Sequence, residues 1–352
     1  MYAVENKDIF ARLPGALLPW YEVNKRELPW RQDKEPYHIW VSEIMLQQTR
    51  VEAVKGYYTR FLQVLPTVEA LANADDEQLH KLWEGLGYYN RVRNLKKAAQ
   101  QVMQLHGGIF PKDHGDVLPL PGIGDYTAGA ICSIAYDQPT PAVDGNVLRV
   151  VSRLPDDHTP IDLPAFKKQT AESLQVSYPA QAGSFTQALM ELGATVCGPN
   201  RKPDCENCPC NCFCLSCQRG TQEQLPVKLP KRGRRTEERT VFILSRGGYY
   251  ALQKRGSRGL LAGLWQFPNV KGKLEVPEVI AKMEETGLKV KDISRTVEKK
   301  HIFTHIEWDM CGVYMEVKEM LPVYTWMSKR QINEDAALPT AFRQFWEGTQ
   351  YV

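Results

Sequence analysis

The chain has 352 residues, of which 43% are apolar, and its formal net charge is +3. This length predicts two domains, and the apolar content is high enough for each of them to bury a core. No run approaches the roughly 18 consecutive apolar residues of a membrane span, and residues 1–8 lack the pattern of a signal peptide. We therefore expect a soluble, cytoplasmic protein rather than a membrane or secreted one.

The two halves of the chain differ in charge. Residues 1–224 contain 22 Lys and Arg residues and 26 Asp and Glu residues, which gives a net charge of −4. Residues 225–352 contain 22 Lys and Arg residues and 15 Asp and Glu residues, which gives +7. Anion binding by the first half must therefore depend on local basic groups and backbone N–H groups. Residues 225–239 are rich in proline and basic side chains, which is the composition of a linker. We expect one domain at 1–224, this linker, and a second domain at 240–352.

Apolar spacing predicts only helices before residue 220. They cover residues 7–23, 36–49, 51–64, 75–83, 146–154, 164–177 and 181–193. Between the first two helices, Trp30 and Arg31 place an aromatic ring beside a cation, unless Trp30 is only packed in a surface turn. The first half is therefore predicted to be all-α.

Glu43 lies beside the apolar stripe of the helix that begins near Pro36. A carboxyl group there either pairs with a cation or is an acid with a raised pKa. Further along, residues 85–95 combine a glycine-rich turn, two tyrosines and an arginine-rich helix start. Aromatic rings beside arginines at a loop tip suit stacking into a nucleic acid, although a solvated helix with core tyrosines has the same pattern.

Residues 120–128 read LPGIGDYTA and residues 143–147 read VDGNV. Gly122 and Gly124 allow positive φ and close backbone approach, so we predict a tight hairpin that leads into a helix. The N–H groups at such a helix start can bind an anion. The alternative is a loop between two core helices with Asp144 as an N-cap. Together the two motifs resemble the helix-hairpin-helix, Gly/Pro-rich loop and aspartate signature of the endonuclease III-like DNA glycosylases.

This resemblance implies that Gly122 and Gly124 contact a DNA phosphate, and that Asp144 is the catalytic aspartate. Residues 40–49 read WVSEIMLQQT, which resembles the catalytic helix of the adenine-specific MutY branch and implies that Glu43 is the general acid. The remaining contacts to substrate and DNA that the resemblance implies in the first half are Trp30, Arg31, Gln47, Gln48, Thr49, Asn146 and Tyr88, the last as a wedge in the duplex.

Nine cysteines in an intracellular chain favour metal binding over disulfides, and six of them lie between Cys205 and Cys217. Their spacing resembles the Fe–S loop of this glycosylase family, in which four thiolates hold a [4Fe-4S] cluster. The ligands that the resemblance implies are Cys197, Cys205, Cys208 and Cys214. The first gap is one residue longer than in the family, and Cys210, Cys212 and Cys217 are surplus. Cys212 is an alternative to Cys214, and zinc is an alternative to the cluster.

After residue 240 the pattern changes to strands, predicted at 240–244, 249–252, 296–303 and 306–317, with a helix at 276–286. This α+β pattern resembles the Nudix-like C-terminal domain of adenine glycosylases. Phe303, Thr304 and His305 resemble the family's F-S-H loop that reads 8-oxoguanine, with Thr in place of Ser. The helix keeps only a fragment of the glutamate run that a Nudix hydrolase needs, so we do not predict metal-dependent hydrolysis.

Cleavage of the glycosidic bond of deoxyadenosine needs a protonated leaving group and a stabilised sugar cation, and therefore two carboxyl groups in different protonation states. We expect Glu43 to donate a proton to adenine N7 and ionised Asp144 to stabilise the cation. Tyr126 stands where lyase-active relatives have a lysine that forms a Schiff base, so we expect no significant strand cleavage.

The resemblance thus predicts a multidomain α and α+β protein, a monomer that acts in base excision repair, in the nucleoid if the source is bacterial. Its expected substrate is double-stranded DNA in which adenine is paired with 8-oxoguanine or guanine. One alternative is an endonuclease III-like pyrimidine glycosylase with lyase activity, against which Glu43 and Tyr126 argue. Another is a non-catalytic Fe–S protein that binds DNA, which would not need Glu43 and Asp144 together.

Overall fold

The computed structural model describes residues 8–199, 202–230 and 233–347. These residues form two compact units. The first unit contains the chain up to Asn73 together with Arg93–Pro230, and the second contains Ala74–Val92 together with the chain after Pro230. In the described part of the chain, no helix is long and apolar enough to cross a bilayer.

Helices make up the regular structure before residue 220, as predicted. In chain order they are α1 (Leu13–Asn24), α2 (Pro36–Leu46), α3 (Val51–Val64), α4 (Val68–Asn73), α5 (Asp76–Leu82), α6 (Asn90–His106), α7 (His114–Val117), α8 (Asp125–Tyr136), α9 (Gly145–Arg153), α10 (Pro164–Gln175), α11 (Ala182–Thr195) and α12 (Leu215–Arg219), with 3-10 turns at Pro29–Arg31 and Asn211–Phe213. Proline in the first turn begins α1, α2 and α10, where its missing N–H would have no partner within the helix.

Helix α11 organises the core of the first unit, because it packs against α1, α8 and α9. Its Phe185 and Leu189 are buried with Leu13 and Leu17 of α1. Close backbone approach to α9 depends on Gly193, where an added Cβ would lie 2.6 Å from the Cβ of Asn146. This contact positions the start of α9, which carries the VDGNV motif.

The second unit contains a seven-stranded sheet and three helices beyond residue 233. Its elements are β1 (Arg235–Arg246), β2 (Tyr249–Lys254), β3 (Trp265–Gln266), β4 (Asn269–Lys271), α13 (Val276–Glu285), β5 (Val290–Ile302), β6 (Ile306–Val317), β7 (Thr325–Ser328), α14 (Lys329–Glu334) and α15 (Thr340–Trp346). The order along the sheet is β3-β2-β1-β6-β5, while β4 pairs with β1 and β7 with β2. One face packs on α13 through Val279 and Met283, and the other packs on α15 through Phe342 and Phe345.

A hairpin with Gly247 and Gly248 at its turn joins β1 to β2, and both glycines have positive φ. Strand β1 nevertheless begins at Arg235, within the stretch that we predicted to be a linker. The reason is its parallel pairing with β6, which starts at Arg235 opposite Ile306. The composition of residues 235–239 gives no sign of this pairing, since a parallel partner 71 positions away supplies it.

Ala74–Val92 belongs to the second unit, to which polar contacts attach it. The Glu84 carboxylate accepts hydrogen bonds from the guanidinium of Arg343, at 2.5 Å from Nη2, and from the backbone N–H of Leu338, at 2.9 Å. On the same segment, Glu77 accepts a hydrogen bond of 3.0 Å from the indole N–H of Trp265 and pairs with Lys254. These contacts fix the segment that carries Tyr88 on the sheet domain.

Candidate active site

Glu43 lies near the end of α2, and its side chain is only 5% exposed. Burial raises the pKa of Glu43 to about 7, because the charged carboxylate loses its hydration; the nearby charge of Asp144 adds to this effect. A hydrogen bond from Tyr126 and the charge of Arg31 act in the opposite direction. A large fraction of Glu43 therefore carries a proton near neutral pH.

Tyr126 occupies the first turn of α8, which packs against α2. Its hydroxyl donates a hydrogen bond of 2.5 Å to Oε2 of Glu43. Burial, together with the two neighbouring carboxyl groups, raises the pKa of Tyr126 well above its usual value. The phenol therefore keeps its proton and remains a donor to Glu43.

Asp144 is the N-cap of α9, as its sequence context suggested. Its Oδ1 accepts a hydrogen bond of 2.8 Å from the backbone N–H of Val147, and its Oδ2 accepts one of 2.7 Å from the amide of Asn146. Burial raises the pKa of Asp144, but these N–H donors and the charge of Arg149 oppose the shift by stabilising the carboxylate. Glu43 and Asp144 thus occupy one pocket in two different electrostatic environments.

This pocket has a volume of about 180 Å³. It brings together seven residues that the sequence singled out: Trp30, Arg31, Glu43, Thr49, Tyr126, Asp144 and Asn146. Gln47 and Gln48 lie on the turn that follows α2. The amide of Gln47 donates a hydrogen bond of 3.4 Å to Thr127, and Gln48 has a φ of +57°.

The hairpin before α8 has one glycine in the left-handed region. Gly122 has a φ of +80°, and an added Cβ there would lie 2.8 Å from the Cβ of Asn94. Gly124, by contrast, has a φ of −111° and is the N-cap of α8. Gly122 therefore adopts the positive φ that glycine allows, whereas Gly124 does not. At Gly124 a Cβ would enter open space within the described part of the chain, so a ligand can approach the backbone there.

A second hollow, of about 900 Å³, adjoins Asp144 and Gly145. Basic side chains from four parts of the first unit line it, together with Asp162 and Glu223. The basic residues are Arg149, Arg153, Lys167, Lys202 and Lys228. Although the charge of residues 1–224 is negative overall, cations are concentrated beside the pocket that holds Glu43 and Asp144.

Thiol groups gather around a third cavity in the first unit. It is lined by the four predicted ligands and by one surplus residue: Cys197, Cys205, Cys208, Cys214 and Cys217. The Arg153 guanidinium donates a hydrogen bond of 3.1 Å to Sγ of Cys197. Among the described residues, no three His, Cys, Asp or Glu side chains are arranged to hold a single metal ion.

The other two surplus cysteines are placed differently. Cys212 is exposed, and its sulfur accepts a long hydrogen bond of 3.9 Å from Arg12. Cys210 is fully buried, and its thiol donates to the sulfur of Cys208, which lowers the pKa of Cys208. Cys214, which lines the cavity, is therefore better placed than Cys212 to be the fourth ligand of a cluster.

In the second unit, Tyr88 contacts the loop formed by Phe303, Thr304 and His305. The Thr304 hydroxyl donates a hydrogen bond of 3.3 Å to the Tyr88 hydroxyl, while the Tyr88 side chain remains 48% exposed. Tyr88 also has a φ of +49°, which L residues adopt at a cost. Phe303 packs edge-to-face on Trp308, and the backbone carbonyl of His305 accepts from Arg235.

Comparison with known proteins gives the family. The sequence profile of the HhH-GPD superfamily of base excision DNA repair proteins matches residues 41–174, and that of the NUDIX domain matches residues 240–348. The adenine DNA glycosylase of Homo sapiens is 34% identical to the chain, over 94% of this chain and 72% of that protein. The adenine DNA glycosylase of Rattus norvegicus is also 34% identical, over 93% and 76%. The chain belongs to the adenine DNA glycosylase family.

Solved structures agree with this membership. A thermostable thymine-DNA glycosylase is 27% identical and aligns with a TM-score of 0.55 over 62% of this chain and all of that one. Endonuclease III in a trapped covalent complex with DNA, 21% identical over 61% of this chain and 98% of its own, has a TM-score of 0.51 and shows the fold alone. The predicted fold class is confirmed, and so is the prediction of a DNA N-glycosylase.

Sequence reasoning missed two charged residues that line this pocket, Arg26 and Glu191. Glu191 of α11 has no exposed side-chain surface; it accepts hydrogen bonds from Arg26 at 2.5 Å and from Arg31 at 2.7 Å. Burial alone would raise the pKa of Glu191. The two guanidinium groups nevertheless hold this pKa below its usual value. A lone glutamate in the apolar run ALMELG was the one available signal.

Proposed function

We propose that the protein hydrolyses the N-glycosidic bond of adenine paired with 8-oxoguanine, or less well with guanine, in duplex DNA. The observation that carries the proposal is the pair of carboxyl groups on one pocket, Glu43 hydrogen-bonded by a phenol and Asp144 by N–H donors. This pair supplies the acid and the anion that the reaction needs.

In the proposed reaction, protonated Glu43 donates its proton to N7 of adenine, so the base leaves as a neutral group. The ionised carboxylate of Asp144 stabilises the positive charge that develops on the sugar. Water then adds to the anomeric carbon and loses a proton, which restores protonated Glu43. Tyr126 keeps the Glu43 side chain in place throughout.

We propose that the enzyme is monofunctional. A lyase needs an amine that attacks the sugar and forms a Schiff base. Tyr126, next to Glu43, carries a phenol whose raised pKa keeps it neutral, and it has no amine to offer. The product should therefore be an intact strand with an abasic site.

The DNA would be held by two features of the first unit. Backbone N–H groups at the start of α8, beyond Gly124, can bind a phosphate, since a helix N-terminus favours an anion. The basic hollow beside Asp144 adds cations for neighbouring phosphates. The base opposite the adenine would be read by Tyr88 and Thr304 of the second unit, whose hydroxyl groups are hydrogen-bonded to each other.

The cofactor would be a [4Fe-4S] cluster held by the cavity-lining thiols Cys197, Cys205, Cys208 and Cys214. These four thiols fit a [4Fe-4S] cluster, because each of its four irons takes one thiolate from the protein. The thiols therefore have to surround the cavity and do not have to converge on a single ion. When bound, the cluster would crosslink the loop between α11 and α12 and stabilise it. The hydrogen bond from Arg153 to Cys197 would help to compensate the charge of the thiolates.

The test is single-turnover release of adenine from a duplex with one A:8-oxoguanine pair, beside duplexes with A:G and A:T. We expect release from A:8-oxoguanine, slower release from A:G and none from A:T, with strand breaks only after alkali. Binding without release would favour a non-catalytic DNA-binding protein. Strand breaks without alkali would contradict the argument from Tyr126.

A further inference from the structure

We propose that Cys217 is a fifth cluster-facing thiol, able to replace Cys205 as an iron ligand. The inference rests on the proposed [4Fe-4S] cluster and goes beyond its four ligands. Its first support is position, since Cys217 lines the same cavity as Cys197, Cys205, Cys208 and Cys214.

The local structure around Cys217 fixes this position. Cys214 is the N-cap of α12, and Cys217 follows three positions later, so both lie on one face of the helix. The helix is anchored at its start by a hydrogen bond of 2.8 Å from the backbone N–H of Leu215 to Leu154. It ends at Gly220, whose φ is +69° and whose N–H bonds the carbonyl of Cys217.

The second support is the neighbour of Cys217. Its thiol lies beside the thiol of Cys205 on the wall of this cavity. Cys205 also follows the gap that is one residue longer than the family's spacing, so it is the ligand whose position is least fixed by the resemblance. Cys217 therefore lies next to Cys205, the proposed ligand that the family spacing supports least.

The exchange itself is a ligand substitution without electron transfer. Sulfur of Cys217 forms a bond to the iron that Cys205 holds, and the Fe–S bond to Cys205 breaks. The proton released by the Cys217 thiol passes to the departing sulfur of Cys205, its neighbour on the cavity wall. The charge of the cluster and the number of thiolate ligands stay the same.

The test uses the full chain, purified without oxygen, with iron and sulfide measured per chain and the cluster followed by electron paramagnetic resonance. We expect C205S to keep an iron content close to wild type with an altered spectrum, because Cys217 takes the vacant position. The double variant C205S/C217S should lose iron several-fold. C217S alone and the exposed control C212S should match wild type.

C214S is the reference for a ligand without a substitute, and it should lose iron several-fold as a single variant. If C205S loses iron, or folded protein, to the same degree as C214S, the proposal is overturned. It is also overturned if C205S/C217S holds as much iron as C205S. Wild-type protein that binds no iron would instead refute the proposed cluster. It would not refute the proposed glycosylase activity, which the release of adenine tests independently.

Discussion

The pocket of the first unit and the Tyr88–Thr304 surface of the second unit are built in opposite ways. In the pocket, Glu43 is 5% exposed, and its carboxyl group, like those of Asp144 and Glu191, has a fixed hydrogen-bond partner. On the surface of the second unit, Tyr88 is 48% exposed and meets Thr304 through a single hydrogen bond of 3.3 Å. Chemistry needs fixed protonation states in a site with little water, whereas reading a base needs groups that can exchange one partner for another. Changes in the pocket should therefore cost far more than changes on the surface.

The largest effect should come from Glu43→Gln. The amide keeps the shape of the side chain but has no acidic proton to give, so adenine release should fall by about 10²–10⁴-fold. Binding to the A:8-oxoguanine duplex, measured by fluorescence anisotropy, should persist. The control is Glu52→Gln in α3, an exposed acid with 80% of its side chain accessible. Unchanged release in Glu43→Gln would favour a different acid.

Glu191→Ala should have the next largest effect. It leaves the guanidinium of Arg31, which is only 13% exposed, without its counter-charge. Breaking a buried ion pair costs about 3–5 kcal/mol, and we expect about 2–3 kcal/mol here because Arg26 is 37% exposed.

Thermal unfolding followed by circular dichroism would show the change in stability. The control is Glu22→Ala, which removes the exposed pair with Lys25 and should cost under about 0.5 kcal/mol. Equal stability of the two variants would mean that the Glu191 pairs do not hold the pocket together.

The smallest effects should come from the surface of the second unit. Tyr88→Phe and Thr304→Val each remove one hydroxyl group and keep the shape of the side chain. One hydrogen bond is worth about 1 kcal/mol, so each should reduce the preference for A:8-oxoguanine over A:G about fivefold.

Because the two hydroxyl groups are bonded to each other, the double variant should lose less than the product of the two single losses. Ratios of single-turnover rates on the two duplexes would measure this. Fully multiplicative losses would mean that the two residues act independently.

Sequence reasoning reached the parts of the site that lie within short motifs. Glu43 and Asp144 were found because each sits in a contiguous run whose spacing is distinctive. Arg26 and Glu191 were missed because their contact joins residues 165 positions apart, and the packing of α11 creates it.

The same limit applies elsewhere in the chain. Cysteine spacing alone could not separate Cys217 from Cys212, since the turn of α12 and its end at Gly220 decide which sulfur faces the cavity. In the second half, four of the seven strands, β1, β2, β5 and β6, were predicted from their apolar pattern. The early start of β1 at Arg235 was not, because its partner strand β6 determines it.

The acid that we propose for the pocket is protonated Glu43. The most direct test is the single-turnover rate of adenine release as a function of pH, for wild type and Tyr126→Phe. Burial raises the pKa of Glu43 to about 7, so the rate should fall as the pH rises through about 7 and the proton is lost. At low pH it should fall again as Asp144 takes up a proton. The Tyr126 hydrogen bond lowers the pKa of Glu43, so its removal should move the upper limb to higher pH. A rate that rises through pH 7, or an upper limb that stays in place in Tyr126→Phe, would contradict this role of Glu43.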